Sequence, residues 1–474
     1  MPVGNEDDVN AAVDAAHAAF ITGPWAKTTP SERADIMLRI ANEIEKRATE
    51  LSLTNTLENG SPVAETSGAA ANAASIFRYF ATLAPELEAD DVRPFPNGQG
   101  ESLVRKDPIG VCALIAPWNF PINLMVTKLA PALLPGCTVI MKPASPTPLS
   151  FRIIVDAITA AGVPAGVVNL VTGPGRMGDL MVRHPKVAKV AFTGSTPVGR
   201  HIAAACGELL RPVTLELGGK SSAIVMEDAD LNEMSARLIR SCMRNTGQTC
   251  YISTRILAPA SRYDEIVNMV TETIATAPQG DPLDPATVFG PSANHAQYKS
   301  VLAHLDSAKA EGARVTTGGE PAQLGGELAD GLFIQPTVLA DVTPEMRVAR
   351  EEIFGPVITI HKYDDLDDAI SLANNTEFGL GGIVFGPDQD KALEVAEAMN
   401  TGSVGLNFFA SNHAAPFGGR NDSGLGVEYG QEGGAAYRAS KSYPPRGVAG
   451  LGRPGLCGAA VLRAVRPTGY SSAY

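Results

Sequence analysis

The 474-residue sequence predicts an α/β protein built around an open, mostly parallel β-sheet. Two observations favour this class. Short apolar runs rich in β-branched residues recur in the first half of the chain, and each run ends at glycine or proline. The intervals between them are long enough for a crossover helix, and strands that are apolar on both faces are typical of parallel sheets covered by helices. The five runs are 111–117, 137–143, 167–173, 187–194 and 213–219.

Helices are predicted ahead of this sheet. Apolar residues repeat at helical spacing between residues 7 and 50, where Ser31 is the expected N-cap of one helix, and an alanine-rich segment at about 64–83 predicts another. A second α/β block is expected from about 222, with a glycine-rich surface connection at 316–331. Its predicted strands lie near 222–226, 255–259, 337–341 and 357–363, and its predicted helices are 231–245, 262–276 and 389–400.

Composition excludes several classes of protein. A formal net charge of −13 argues against a nucleic-acid or membrane-surface binder, which would usually present a basic field. The six cysteines form no C-x-x-C pair, and the seven histidines form no H-E-x-x-H motif, so neither a disulfide framework nor a zinc site is expected. The polar, acidic start is unlike a signal peptide. These features predict a reduced, cytoplasmic enzyme that contains no metal.

Ligands of open parallel sheets bind at the carboxyl ends of the strands, and two motifs at such ends are suited to a phosphate or a sugar. Gly194 and Gly199 lie where an apolar strand enters a helix, and free N–H groups at a helix N-terminus attract phosphate. Lys142 ends another strand and could reach a ribose hydroxyl or a phosphate. From the residues alone, an ordinary strand–helix turn and a solvated lysine remain alternatives.

Three further residues suggest acyl or carbonyl chemistry. Asn119 lies between two prolines in a strand-to-helix loop, and a fixed amide is a good donor to an oxyanion. Glu216 interrupts an apolar run before paired glycines, as either a structural carboxylate or a general base. Cys250 follows a glycine-containing loop, as either an inert buried cysteine or a nucleophile.

Taken together and in this order, the motifs resemble the aldehyde dehydrogenase superfamily from about residue 7 to 443. The resemblance implies that Cys250 attacks an aldehyde and that Asn119, with the backbone N–H of the cysteine, holds the oxyanion. It also implies that Glu216 activates the hydrolytic water and that Glu428 relays protons, although a structural role for Glu428 stays open. The matching motifs are PWNFP, MKPASPTPLS, FTGSTPVGR, LELGGK, GQTC, EEIFGPV, NNTEFGLGG and PFGG followed by SGLG.

The resemblance also implies a Rossmann-like cofactor domain that binds NAD, with NADP possible. Ser145 lies where many NAD-preferring members carry a glutamate that repels the 2′-phosphate of NADP, so NADP stays open. NAD is favoured because no additional lysine or arginine nearby invites that phosphate. The residues implied to contact the cofactor are Ile115, Trp118, Lys142, Ser145, Gly194, Ser195, Gly199, Glu352 and Phe354.

The expected substrate is an uncharged apolar or aromatic aldehyde. Thr127 lies where semialdehyde-specific relatives often carry an arginine, and the loop 407–413 adds aromatic and small polar side chains. Thr249 and Tyr251 flank the nucleophile. A CoA-acylating semialdehyde dehydrogenase and a catalytically inactive structural homologue are the alternatives; the presence of both Cys250 and Glu216 argues against them.

The resemblance divides the chain into three parts and implies a homodimer or homotetramer. Because Met1 falls within a family motif, we expect an N-terminal segment of the family fold to be missing. The tail from 447 to 474 is rich in glycine, proline and arginine and is expected to be disordered. The parts are an NAD(P)-binding domain (1–83 and 109–218), a catalytic domain (219–436) and a small β oligomerisation element (84–108 and 437–446).

Overall fold

The structure is a computed structural model that describes residues 1–98 and 100–446, so the predicted disordered tail lies outside the described residues. The α-helices are α1 (Glu6–Ile21), α2 (Pro30–Glu45), α3 (Ala48–Asn59), α4 (Val63–Thr66), α5 (Ala69–Ala81), α6 (Ala84–Glu88), α7 (Pro121–Leu133), α8 (Leu149–Ala160), α9 (Gly175–Arg183), α10 (Thr196–Glu208), α11 (Leu231–Cys242), α12 (Tyr263–Ala275), α13 (His295–Ala310), α14 (Arg347–Arg350), α15 (Leu366–Asn374), α16 (Gln389–Ala398) and α17 (Gly430–Ala435). The strands are β1 (Asp91–Pro94), β2 (Glu101–Pro108), β3 (Val111–Ile115), β4 (Thr138–Lys142), β5 (Val168–Leu170), β6 (Val187–Thr193), β7 (Val213–Glu216), β8 (Ser222–Val225), β9 (Arg255–Pro259), β10 (Arg314–Thr317), β11 (Thr337–Ala340), β12 (Val357–Tyr363), β13 (Gly381–Phe385), β14 (Ser403–Leu406), β15 (Gly424–Leu425) and β16 (Arg438–Arg446).

The five apolar runs of the first half form one six-stranded sheet, in the order β15-β7-β6-β3-β4-β5. Strands β7, β6, β3, β4 and β5 are parallel, whereas the short β15 pairs antiparallel with β7. Strands β3 and β4 are buried along their whole length, as expected for a sheet covered on both faces. The carboxyl ends of β3, β4, β6 and β7 bring Ile115, Lys142, Thr193 and Glu216, respectively, to one edge of the sheet.

The second block forms a seven-stranded sheet in the order β10-β11-β12-β9-β8-β13-β14. All neighbouring strands are parallel except β10 and β11. The four predicted strands of this block correspond to β8, β9, β11 and β12. The sequence analysis missed β10, β13 and β14, because β10 is largely polar and glycines at the start of β13 and within β14 obscure the apolar pattern.

The described chain separates into two compact units. The larger unit contains Met1–Ala89 and Lys106–Ala439, and it holds both large sheets. The smaller unit contains Asp90–Arg105 and the described residues from Ser440 onward. Its core is a three-stranded sheet in the order β1-β2-β16, in which β1 pairs antiparallel with β2. Within residues 1–98 and 100–446, no helix combines the length and the apolar character needed to cross a bilayer.

Two predicted helix boundaries were wrong for local reasons. The N-cap of α2 is Thr29 rather than Ser31, since Pro30 fits the first helical position and Thr29 forms a capping box with Glu32. The helix predicted at 231–245 ends at Cys242. Asn245, at φ 52°, and the residue after it adopt left-handed backbone conformations that no α-helix can contain.

Candidate active site

The four residues predicted to be catalytic line one cavity of about 320 Å³ in the larger unit. Glu216 ends β7, Asn119 lies in the loop between β3 and α7, Cys250 follows α11, and Glu428 precedes α17. Asn119 and Glu216 meet because parallel strands of one sheet end at the same edge, and the segments that carry Cys250 and Glu428 line the same cavity. The structure therefore brings together an amide, a thiol and two carboxyl groups around one space.

Hydrogen bonds between two loops position the amide beside the thiol. The Asn119 side-chain nitrogen donates to the Gln248 carbonyl at 3.0 Å, and the Asn245 side-chain nitrogen donates to the Asn119 carbonyl at 3.2 Å. Asn119 is 3% exposed. One of its two amide hydrogens is used in this network, so the other remains for an oxyanion in the cavity.

The Cys250 thiol is partly exposed to the cavity and surrounded by protein. Burial raises its pKa, and the nearby carboxyl groups of Glu352 and Glu216 raise it further. The backbone N–H groups of Cys250 and Tyr251 act in the opposite direction, by donating toward the sulfur. The thiol therefore carries its proton at neutral pH in this state, and a base must remove the proton when the sulfur reacts.

Glu216 is 3% exposed, and neither of its carboxyl oxygens has a hydrogen-bond partner among the described residues. Burial raises its pKa well above the ordinary value, Glu428 raises it further, and Lys128 lowers it. A carboxyl group that is buried without a partner costs stability, so the structural role left open by the sequence has little support. Its geometry favours a general base instead.

A buried ion pair lies behind Glu216. The Lys128 ammonium donates to the Glu428 Oε1 at 2.6 Å and to the Thr193 hydroxyl at 2.5 Å. The Lys128 side chain is fully buried, and that of Glu428 is 6% exposed. The sequence analysis missed Lys128, although a single lysine within the apolar segment of α7 was a usable signal, because such a cation is almost always paired.

The predicted cofactor residues of the first half lie at the carboxyl edge of the six-stranded sheet. Helix α10 begins at Thr196, and Ser195 provides no side-chain cap, so its N-terminal N–H groups remain free for an anion. Lys142 is 5% exposed, and among the described residues its ammonium donates only to the Pro143 carbonyl, at 3.1 Å. Burial lowers its pKa. Ser145 is exposed. A helix terminus and a buried amine at one edge fit a dinucleotide.

Close packing accounts for the two glycines of the strand–helix turn. A Cβ atom at Gly199 would lie 2.4 Å from Leu217, and one at Gly194 would lie 2.4 Å from the Phe192 ring. Larger residues at either position would require the Leu217 or Phe192 side chain to move. The glycines therefore allow a close approach in this turn.

The remaining predicted cofactor residues come from both large sheets. Glu352 accepts a hydrogen bond from the Gly219 N–H at 3.0 Å, and burial raises the pKa of its carboxyl group to about 7. Phe354 has a positive φ of 55° and packs edge-on against Trp118, with 5.4 Å between ring centroids. A positive φ strains the backbone of a residue with so large a side chain, and such strain is typical of functional sites. Ile115 ends β3 and is buried.

The outer part of the cavity is largely aromatic. Tyr251 and Phe409 pack together with 4.8 Å between ring centroids. Thr249 and residues 409–411 of the predicted loop line the cavity. Thr127 does not: it is 1% exposed and donates to the Asn123 carbonyl and the Tyr429 hydroxyl. The other aromatic residues that line the cavity are Phe120, Phe417 and Tyr429.

Three charged residues of the outer cavity were missed by the sequence analysis. Arg240 and Arg244 come from the end of α11 and the loop after it, and Glu65 comes from α4. The sequence could have indicated Arg244 as a residue of the site, since it lies on the same loop as Cys250. Glu65 had none, because only the packing of α4 against this loop brings it to the cavity.

Comparison with known proteins gives a consistent result. The family model described as "Aldehyde dehydrogenase family" matches residues 1–443. Geranial dehydrogenase of Castellaniella defragrans is 45% identical over 93% of this chain and 91% of that protein. Succinate-semialdehyde dehydrogenase (NADP+) of Escherichia coli is 38% identical over 90% of this chain and 88% of that protein.

Solved structures agree. A Mycobacterium tuberculosis aldehyde dehydrogenase complexed with NAD+ superposes with a TM-score of 0.91 at 39% identity, covering 95% of this chain and 92% of that chain. A variant of aldehyde dehydrogenase C from Pseudomonas syringae, complexed with NAD+ and octanal, gives a TM-score of 0.89 at 38% identity, over 95% and 91%. The resemblance and the fold class predicted from the sequence are confirmed.

Proposed function

Since the chain belongs to the aldehyde dehydrogenase family, we propose that it oxidises an uncharged apolar or aromatic aldehyde to the carboxylic acid, with NAD or NADP as the oxidant. The observation that carries this proposal is the convergence of Cys250, Asn119 and the unpaired carboxyl group of Glu216 on one aromatic-lined cavity. The relative named geranial dehydrogenase and the solved structure that contains octanal both support an apolar substrate.

The reaction begins with addition of the Cys250 sulfur to the aldehyde carbon. The ionised fraction of Glu216 takes the thiol proton, since its raised pKa makes it a stronger base than an ordinary carboxylate. The aldehyde oxygen becomes an oxyanion, and the free amide hydrogen of Asn119 and the N–H of Cys250 stabilise its charge. Lys128 lowers the pKa of Glu216 and so favours its ionised form.

Oxidation and hydrolysis follow. The nicotinamide of the bound cofactor supplies a two-electron acceptor for the hydride of the thiohemiacetal carbon. Collapse of the oxyanion then leaves a thioester on Cys250. After Glu216 has released the thiol proton to solvent, it takes a proton from water, and the resulting hydroxide adds to the thioester carbon. The tetrahedral intermediate then expels the Cys250 sulfur, which regains a proton from Glu216. Lys142 and Glu352 would hold ribose hydroxyls, while Ser195 and the N-terminus of α10 would hold the pyrophosphate.

An aldehyde panel tests this proposal. Octanal, benzaldehyde and succinic semialdehyde are each oxidised with NAD and with NADP, and nicotinamide reduction is followed together with the acid product. We expect kcat/KM for octanal or benzaldehyde to exceed that for succinic semialdehyde by about tenfold or more, because aromatic side chains line much of the cavity and cannot compensate for a desolvated carboxylate. Acid should form without CoA. Preference for the charged semialdehyde, or a requirement for CoA, would contradict the proposal.

The choice between NAD and NADP is proposed to depend on Ser145. Its hydroxyl donates to the Gly173 carbonyl at 3.2 Å, and the side chain is exposed. Replacing Ser145 by glutamate is expected to raise KM for NADP by about tenfold or more and to change KM for NAD little, because the carboxylate repels a 2′-phosphate. Ser145→Gln is the size-matched control without charge. Equal effects of the two substitutions on NADP would show that size, not charge, is responsible.

We further propose the domain division given by the resemblance and an oligomer formed through the three-stranded sheet. The exposed β1 is an edge strand of that sheet, which supports a role in association. The five cysteines in the described residues are all free thiols, which supports a reducing, cytoplasmic location.

A further inference from the structure

An ion pair lies in the wall of the outer cavity. The Arg244 Nε donates to the Glu65 Oε2 at 2.8 Å, and the same guanidinium donates to the Tyr251 hydroxyl at 2.6 Å. It also lies over the Phe120 ring, 5.0 Å from the centroid. The Arg244 and Glu65 side chains are 27% and 25% exposed. The guanidinium is therefore held by three neighbours at the wall of the aldehyde cavity.

The other charges that line the cavity are already balanced or face solvent. Glu428 is paired with Lys128. Burial raises the pKa of the Glu216 carboxyl group well above its ordinary value and so favours its uncharged form. Arg240 has no carboxylate partner in the described part of the chain, but it is exposed and stacks on Phe408, where solvent and salt screen its charge. The net charge at the cavity wall thus depends on whether Arg244 is neutralised.

We propose that Glu65 is a specificity-determining residue that excludes anionic aldehydes by occupying the guanidinium of Arg244. This inference rests on the proposed function. It names Glu65 as a residue that produces the preference for uncharged aldehydes and gives the physical cause of that preference. An aldehyde with a distal carboxylate would have to displace Glu65 from Arg244, which leaves a second carboxylate unpaired in a partly dehydrated wall. Repulsion between the two carboxylates and the cost of that displacement act against binding, whereas an uncharged aldehyde meets neither.

Electrostatics within the pair supports this assignment. Burial alone would lower the pKa of Arg244, but Tyr251 and Glu65 hold it above its ordinary value. The guanidinium is therefore cationic at every physiological pH, and Glu65 supplies the compensating charge. Removing either member leaves one full charge at the cavity wall, of opposite sign in the two cases.

Three aldehydes of different charge test the inference: succinic semialdehyde, butanal of the same chain length, and the cationic betaine aldehyde. Glu65→Gln is expected to raise the kcat/KM ratio of succinic semialdehyde to butanal by about tenfold or more, because Arg244 becomes free. Arg244→Gln should instead raise the ratio of betaine aldehyde to butanal, because Glu65 becomes unpaired. The double variant should regain the preference of the parent for butanal.

Two further variants identify the source of any change. Glu45→Gln removes one partner of the exposed Glu45–Arg78 ion pair and should leave both ratios unchanged. Arg240→Gln removes the rim charge; if it, rather than Glu65→Gln, alters the ratio for succinic semialdehyde, the inference is wrong. An unchanged ratio in Glu65→Gln, with butanal still oxidised, also overturns it.

A binding measurement separates this inference from the proposed function. Butanoate is titrated into each variant by calorimetry, and Glu65→Gln should bind it about tenfold more tightly than the parent, whereas Arg244→Gln should not. If the parent oxidises no aldehyde with either cofactor, the proposed function fails, yet the butanoate titration still decides the role of Glu65. Equal butanoate affinity in the parent and Glu65→Gln contradicts the inference whatever the activity.

Discussion

Replacement of Cys250 by alanine is expected to lower kcat by about 10⁴-fold or more, because no other thiol or hydroxyl among the predicted catalytic residues can form the covalent intermediate. Cofactor binding should survive, since the residues proposed to hold NAD lie on other elements. Nicotinamide reduction at saturating octanal measures the first effect. Titration of NAD against protein fluorescence measures the second.

A neighbouring cysteine provides the matched control. Cys242 ends α11, eight positions before Cys250, and burial raises the pKa of its thiol to about 12. It does not line the cavity. Cys242→Ala should therefore retain turnover within about twofold of the parent, at a modest cost in stability. Substantial turnover in Cys250→Ala, or an equal loss in Cys242→Ala, would contradict the assignment of the nucleophile.

Substitution of Glu216 by glutamine is expected to lower kcat by about 10²–10⁴-fold, because the amide keeps the size of the carboxyl group but cannot accept a proton. The pH profile adds a second readout. Because burial raises the pKa of Glu216 well above its ordinary 4.5, the ionised base appears only as pH rises through that higher value. Activity of the parent should therefore increase with pH across this region, and the variant should lose that increase.

Measuring kcat from about pH 5 to pH 10 checks this expectation. Glu208→Gln is a suitable control, since Glu208 is 68% exposed and pairs with Arg183 on the protein surface. It should leave both kcat and the pH profile unchanged. If Glu216→Gln kept the same pH dependence as the parent, another group would have to be the base.

Much of the fold could be predicted because its signals are local. Strand β3 is a continuous apolar run and β4 is apolar between its ends, and burial on both faces requires such runs. Strands β10, β13 and β14 were missed, because their stability comes from pairing with neighbours distant in the chain rather than from their own composition. The helix boundary at Cys242 was misplaced because left-handed residues after it are imposed by the cavity loop.

The sequence also identified the residue types of the site, since Asn119, Glu216 and Cys250 each lie in a motif of distinct chemistry. Their motifs alone left Glu216 as either a paired carboxylate or a base. The absence of a hydrogen-bond partner for its oxygens among the described residues favours the base, and only side-chain packing could supply that observation.

The sequence alone predicted the family resemblance, the parallel sheet and the motifs at its carboxyl edge, because these features depend on residue type and on spacing along the chain. The tertiary structure alone decided which charges meet. Lys128 pairs with Glu428 across 300 positions, and Arg244 pairs with Glu65 across 179. Thr127 does not line the cavity, and its hydroxyl donates to the hydroxyl of Tyr429. The physical reason is that the charge of a cavity depends on distances of a few ångströms between side chains, and packing of distant segments sets those distances.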